Sequence, residues 1–583
     1  MKKIISLLLS LSLLLASISV LASCGAPKDD GPEISIYLGE RIYDFDPTDY
    51  YVDSNAESVM GLLFEPLFNI NSKGKLEKAM AEDYSVDEAE RTIVITLKES
   101  YWSDGAAVKA EDYVYSWCNV LLNPNVANPA AALLYDIENA VEIKSGTVDT
   151  LYEFGAVATG IKEITIKYRK GADYNQLLKN LASVATAPIR QDIATVYTSG
   201  YWSKLVNSAI SNGPFMIAGI NEEDNAFTLV RNIGYHQATT VVDYDNNVVP
   251  GKLVSMLTRN NEETTLTYDD IENKTVFYMA DASLADRAAN KSNATVADDL
   301  STYSYVFNTS NPLFAIKEVR QALSMAIDRN AIIEAITFGK AATGFLPDAV
   351  LDTSTGKTFR AEELISKSAK VTEAKALLDG VDLTEIDTAF TLTVNNDEES
   401  LAIADLVKTA WESLGHGISV TVAAAGTIST KLSDGTTFED SEIQVLVNQA
   451  SRGVRNFDVI AVDWQMYSTD AFVALAAFST KYSGCGVELP YLTKYYGSFG
   501  GYTDSDYDEL IASAYKTSDK AKRSELLHSA EKLLVESACI VPLVYNQNFA
   551  FISRDISNVA ANGLGDFVFT KAKQKNYRDY IED

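Results

Sequence analysis

Short β-branched or aromatic runs alternate with amphipathic stretches of helical period along almost the whole chain, and that alternation confines it to a mixed α/β architecture. Strands are expected near residues 34–38, 92–97, 163–168, 227–231, 304–308, 390–394 and 457–464, and helices near 110–121, 316–337, 399–414, 505–515 and 520–537. Within 316–337, Val319, Ala322, Leu323, Ala326 and Ile327 fall on one helical face, so that stripe faces a core. Ile403, Leu406, Val407, Ala410, Trp411 and Leu414 form the same stripe in the next helix, with Gly415 placed to end it. With 583 residues, 47% of them hydrophobic, the chain can fill more than one core and is expected to divide into lobes.

The first 23 residues stand outside this pattern. Lys2 and Lys3 precede residues 4–21, built almost wholly from Leu, Ile, Ser, Val and Ala, and Cys24 follows Leu21-Ala22-Ser23. A cationic start, an apolar run and small residues before a cut are the layout of an export signal. The ending resembles a bacterial lipobox, which implies cleavage before Cys24, acylation of its sulfur and stable anchoring by two or three acyl chains. As a retained transmembrane helix the run would be only just long enough, at about 18 residues. Residues 24–32, with Gly, Pro, Lys and Asp and nothing to pack, read as a tether. No second apolar span follows.

Charge and side-chain chemistry remove several function classes. Asp and Glu number 80 against 49 Lys and Arg, a formal charge of −31 that repels nucleic-acid phosphates, so no nucleic-acid partner is expected. His236, His416 and His528 are far apart, and no HExxH or CxxC pair supplies a metal site. GxSxG, GxxxxGK[ST] and GxGxxG are absent too, which leaves no positive sign of catalysis and no cofactor cradle. Beyond Cys24, the cysteines Cys118, Cys485 and Cys539 are odd in number, and free thiols are expected.

Four ordered blocks carry a family likeness. Residues 61–117 hold GLLFEPL, Trp102-Ser103-Asp104-Gly105 and Ala110-Glu111-Asp112-Tyr113; residues 211–235 hold SNGPF and RNIGY; residues 303–333 hold VRQALSMAIDR; and residues 502–545 form the last block. Together they resemble bacterial extracellular solute-binding proteins of the peptide and nickel importer family. The resemblance implies a two-lobe, periplasmic-binding-protein-like α/β fold of the cluster C type, with an extra subdomain in the first lobe. The first lobe would span residues 33–300, with the subdomain at 61–184, the second lobe 301–525, and the chain would return to the first lobe over 526–583. Residues 423–456 look longer and more polar than the family's usual connection. Read without the family, WSDG is a turn in which Asp104 or Glu111 serves the amides of the following helix.

For function, the resemblance implies the binding component of an ABC importer: a monomer tethered through Cys24 to the outer face of the cytoplasmic membrane, closing two lobes on an oligopeptide and passing it to permease subunits. The alternatives are the same fold carrying an oligosaccharide, a nickel complex or haem, or a surface hydrolase or adhesive lipoprotein built on it. Candidate contacts on one jaw are Glu40, Arg41, Ile42 and Tyr43, and on the facing jaw Asp463, Trp464, Gln465, Tyr467 and Asp470. In peptide-binding members an acid three residues after the tryptophan meets the peptide ammonium, and this chain has Tyr467 there, so either Asp463 or Asp470 takes over that task or the ligand has no free N-terminus. His236 stands where the family carries a second tryptophan.

Overall fold

The computed structural model describes residues 33–40, 42, 44–50, 54–148, 151–195, 201–204, 210–221, 226–237, 247–248, 252–258, 266–360, 362–431, 435, 437–451, 453–485 and 502–575. Among these, eleven strands share one sheet: β1 (Glu33–Glu40), β2 (Phe215–Asn221), β3 (Ala226–Arg231), β4 (Lys252–Thr258), β5 (Tyr278–Met279), β6 (Thr295–Phe307), β7 (Lys340–Ala341), β8 (Ala389–Val394), β9 (Ser419–Ala424), β10 (Val459–Gln465) and β11 (Ile540–Ile552). Across the sheet the order is β9-β8-β10-β6-β11-β5-β1-β4-β3-β2, with β7 also on β11. β8 runs parallel to β9 and β10, and β1 parallel to β4 and β5. β10 reads VIAVDWQ, and every residue but Asp463 is buried, as expected of a strand covered on both faces.

β6 and β11 hold the two halves of the sheet together. Each has 13 residues, which at about 3.3 Å per residue makes a ribbon roughly 40 Å long. The antiparallel ladder between them joins 295–298 to 547–550 and 302–306 to 540–545, and slips register between Asp298 and Thr302. The lobe border expected at 300 and 301 falls inside β6, at that slip. The return expected from 526 falls inside the helix Lys520–Ser537.

Apolar side chains gather into separate clusters on the two sides. One contains Tyr305, Phe307, Phe390 and Trp411 with the helix stripe Val319, Ala322, Leu323 and Ala326. A larger one takes in the helix Ser54–Leu63 and a four-stranded antiparallel sheet made by Ala81–Asp87, Thr92–Leu97, Glu163–Lys167 and Ala156–Gly160. Cys118, Cys485 and Cys539 are free and buried. Among the described residues no helix is long and apolar enough to cross a membrane, and no cluster of potential metal ligands occurs.

Three local expectations need correction. The helix expected over 316–337 is two helices, Lys317–Ala326 and Arg329–Ile336. Asp328 divides them because its carboxylate accepts from the N–H groups of Asn330 (3.0 Å) and Ala331 (3.2 Å), capping the second helix. The arginines beside the break are buried and satisfied by carbonyls: Arg320 donates to Ser537 O and Phe314 O, and Arg329 to Pro542 O. In the WSDG turn, the acid that serves the next helix is Asp112. From the third helical position it reaches back to the Lys109 N–H (2.9 Å) and also takes the Trp102 indole N–H (3.1 Å). Asp104 instead accepts from the Ala106 N–H and pairs with Arg190. Last, the helix beginning at Ala110 keeps α geometry only to Tyr115 and continues as a wider π turn over Ser116–Leu121.

The described residues of the connection at 423–456 include two paired strands, Thr427–Lys431 with Thr437–Ser441, and the helix Glu442–Ala450. Its Asp440 pairs with Lys204, whose ammonium also lies 3.2 Å from Asp44 and 5.4 Å from the Phe438 ring centre. This connection thus reaches from the second half of the molecule to the first.

Candidate ligand site

β10 ends where the two halves meet. Beyond it, Trp464, Met466, Tyr467 and residues 471–478 bury in the same apolar cluster as Tyr50, the helix Ser54–Leu63 and residues 130–135 of the other half. Tyr467 has a φ of +59°, an uncommon backbone for a bulky residue. That turn lays its ring edge-on to Tyr50, with centroids 4.7 Å apart, and directs its hydroxyl to Thr48 O at 3.5 Å. Along the same seam Ser468 donates to Asn180 Oδ1 (2.7 Å), the Asn128 N–H to Gly484 O (2.8 Å), the Tyr515 hydroxyl to Tyr135 O (3.0 Å), and the Gln465 amide to the Glu57 carboxylate. The halves are closed on one another.

Carboxylates crowd this seam. Glu57, in the first turn of its helix and 4% exposed, accepts from the Tyr50 hydroxyl (3.2 Å) and from Gln465. Burial holds it well above the usual carboxylate range, and the charges of Asp566 and Asp299 push the same way. Asp299 sits on β6 within the register slip, 2% exposed, and accepts from Ser301 Oγ at 2.5 Å. Burial, with Asp463 and Asp566 nearby, pushes it up to about 7. Asp566 lies in the hairpin between Ala560–Ala561 and Phe567–Val568, and burial pushes it up to about 6 although Asn562 donates to it. Among the described residues none of these three acids has a cationic partner within salt-bridge distance. Two acceptor atoms in the same place, Gln465 Oε1 and Asp566 Oδ1, are buried with no hydrogen-bond partner.

Of the facing-jaw residues expected from sequence, the structure brings Gln465 and Tyr467 onto the seam. Asp463 accepts from the Asn546 amide and stands near enough to Asp299 to raise it. Trp464 is 1% exposed and packs on Phe478, ring centres 5.4 Å apart, so it walls the seam from within the core. Asp470 is engaged elsewhere. Its two oxygens take both Nη groups of Arg523 at 2.9 and 2.8 Å, and it caps the helix Ala471–Ala476 through the Phe472 N–H. On the other jaw Ile42 is buried in the apolar cluster. Arg41, Tyr43 and the side chain of Glu40 lie outside the described residues, as do Cys24 and the export signal. His236 forms a buried pair with Glu65, Nε2 to Oε2 2.5 Å, and Tyr235 closes the other carboxylate oxygen at 2.5 Å. Sequence reasoning missed Glu57, Asp299 and Asp566. The readable signal was an acid beside the apolar stripe Ala56, Val59, Met60 and Leu63, and another opening the buried run at Leu300.

Comparison with known proteins bears on this geometry. The sequence pattern described as "Bacterial extracellular solute-binding proteins, family 5 Middle" matches residues 75–484. The chain belongs to this family. A curated relative, the dipeptide-binding protein of Lactococcus lactis subsp. cremoris, is 25% identical over 94% of this chain and 95% of its own length. Among solved structures, Haemophilus influenzae OppA in complex with RPPGFSPFR superposes with a TM-score of 0.74 at 20% identity, covering 94% of this chain and 99% of that one. The murein tripeptide-binding protein MppA of Escherichia coli gives 0.74 at 22% identity, over 94% of this family member and 99% of MppA. The unliganded open form of MppA gives only 0.55, over 94% of this chain and 98% of its own. The family member described here therefore has the same fold.

Proposed function

We propose that this family member captures peptides outside the cytoplasm between its two halves and delivers them to the permease of an ABC importer. The observation that carries the reading is the closed seam, in which Gln465, Tyr467 and Ser468 of one half touch Glu57, Thr48 and Asn180 of the other. A solute that contacts both sides binds fully only in the closed state, so it shifts an open population to a closed one. Peptide is the solute class that most of the relatives are named for, as dipeptide-, oligopeptide- or murein peptide-binding proteins, while one from Escherichia coli is named a probable deoxycholate-binding protein. The register slip in β6 and β11 supplies the place at which the sheet can bend. Cys24, acylated after signal cleavage, would hold the protein at the outer membrane surface within reach of the permease.

The test is native mass spectrometry of the mature chain purified without denaturation, followed by calorimetry with a defined peptide library. Copurifying peptide, or micromolar binding of library members, is the expected result. A chain that carries a non-peptide solute and ignores the whole library overturns the proposal.

A further inference from the structure

Lys144 ends the helix Ala140–Lys144, whose Ala140, Val141 and Ile143 are buried in the larger apolar cluster. Its side chain is buried with them, and among the described residues no acid pairs with it. What it meets is backbone. The ammonium donates to three carbonyls of one loop, Leu121 O (3.0 Å), Asn123 O (3.0 Å) and Val126 O (2.7 Å), which uses all three of its N–H groups. Leu121 closes the π turn, and a helix end leaves carbonyls without intrahelical donors. A charge kept out of water without a counter-ion is costly, and burial pushes Lys144 down to about 7. Methionine would fill the same space without that cost, but it could not draw three carbonyls to one point.

The loop so held is the one on which the other half docks. Two residues past Val126, Asn128 is buried and works in both directions. Its amide donates to Thr48 O (3.0 Å) and Thr48 Oγ1 (3.3 Å) in its own half, and its backbone N–H donates to Gly484 O (2.8 Å) in the other. Thr48 O also accepts from the Tyr467 hydroxyl, so one carbonyl receives donors from both halves. Gly484 comes so near that a Cβ on it would lie 2.2 Å from Asn128 O, and close-packed contacts of that kind tolerate little displacement of the loop. Cys485, next along, is enclosed from two sides: Ser451 and Ser483 of its own half bond to the thiol, and Lys144 and Tyr135 of the first half lie within reach of its charge. It is 1% exposed, and burial pushes its thiol up to about 11.

Resting on the closing-jaw reading above, we infer that Lys144 is a positioning residue for closure: it gathers the carbonyls of residues 121–126 so that Asn128 can bind Thr48 and Gly484 at once. It acts through Asn128 and needs no contact with the peptide. The latch it sets belongs to the protein alone, so the ligand-free chain already favours the closed arrangement and a bound solute adds to that preference.

The experiment reads the jaws through Cys485. The full mature chain, with no peptide added, is treated with iodoacetamide, and mass spectrometry of digests gives separate alkylation rates for Cys118, Cys485 and Cys539. Cys485 reacts when the halves part, so its rate follows the open population. Lys144→Met and Asn128→Ala are each expected to speed Cys485 by about tenfold or more, with Cys118 and Cys539 held within about twofold. Lys144→Arg keeps the charge and the donors and is expected to stay within about threefold of the parent. Because Lys144 acts through Asn128, the double variant Lys144→Met/Asn128→Ala should be no more than about twofold faster than either single one. Ile93→Ala, a cavity in the four-stranded sheet, should lower Tm and leave the Cys485 rate unchanged. Should Lys144→Arg be too bulky to fold, the Met and Ala variants decide alone. A Cys485 rate unmoved by Lys144→Met overturns the inference, and so does full additivity of the two substitutions. Equal acceleration of all three thiols, or a parent Cys485 that reacts as fast as in the denatured chain, overturns it as well. The expected thiol pattern in a chain that binds no member of the peptide library overturns the peptide reading and keeps the latch. Library binding together with an unmoved Cys485 does the reverse.

Discussion

Asp470→Asn separates a structural acid from a ligand-binding one. Asp470 and Arg523 are 2% and 15% exposed at their side chains and meet through two hydrogen bonds, so the neutral amide leaves a guanidinium largely out of water without its partner. Breaking a buried pair from one side costs about 3–5 kcal/mol. The lower end applies, because Asp136 also acts on Arg523 and because Asn can still cap the helix Ala471–Ala476 through its oxygen. At about 2 cal/mol/K of unfolding entropy per residue, roughly 560 residues melting as one unit would lose about 3 °C of Tm, and a unit of half that size about twice as much. Differential scanning calorimetry of Asp470→Asn, Arg523→Met and the double variant reads this directly. The double variant should recover most of the loss, since no charge is stranded in it. Peptide affinity of the single variant, measured well below its Tm, should stay within a few-fold of the parent. An unchanged Tm together with abolished binding would refute the assignment and return Asp470 to the ligand.

Three further outcomes are expected. The raised positions of Asp566 and Asp299 mean that their contribution to stability is fully present below about pH 4 and is lost as pH rises through about 6 and about 7, so the unliganded protein should melt at lower temperature at pH 8 than at pH 5; a scan of Tm against pH checks it, and Asp299→Asn should flatten the slope. Gly484 has a φ of +69°, and a Cβ there would lie 2.2 Å from Asn128 O across the seam, so Gly484→Ala should wedge the halves apart and weaken peptide binding by at least about tenfold, with a larger radius of gyration by small-angle scattering. Replacing Lys204 with Met removes the clasp to Asp440 on the 423–456 connection and should shift the ligand-free protein toward the open form in the same scattering measurement, with Tm changed by no more than a few degrees.

Much of the fold was legible in the sequence, for physical reasons that differ from element to element. Thr92–Leu97 and Lys520–Ser537 lie where their periodicity puts them, because one face of each is buried and the other wet. β6 extends nine residues before its readable start at Ser304, because Thr295–Asp298 are exposed or half-buried and Asp299, Ser301 and Thr302 interrupt the apolar run, and only the ladder with β11 makes them a strand. The break at Asp328 was hidden because the apolar stripe continues through it while the cap interrupts the backbone. At the seam, Trp464, Gln465 and Tyr467 were visible as a motif, but the partners of Asp470 and Gln465 are 53 and 408 residues away and no local pattern announces them. Glu57, Asp299 and Asp566 acquire their character only when folding removes water from all three at once.

In the proposed closure the slip in the β6–β11 ribbon is the pivot, and Asp299 lies on it. Charge at such a pivot would bear on the angle of the jaws as well as on whatever they hold. Neutralising it with cargo would relax the pivot and the mouth in a single event, so that loading and shutting share one electrostatic cause.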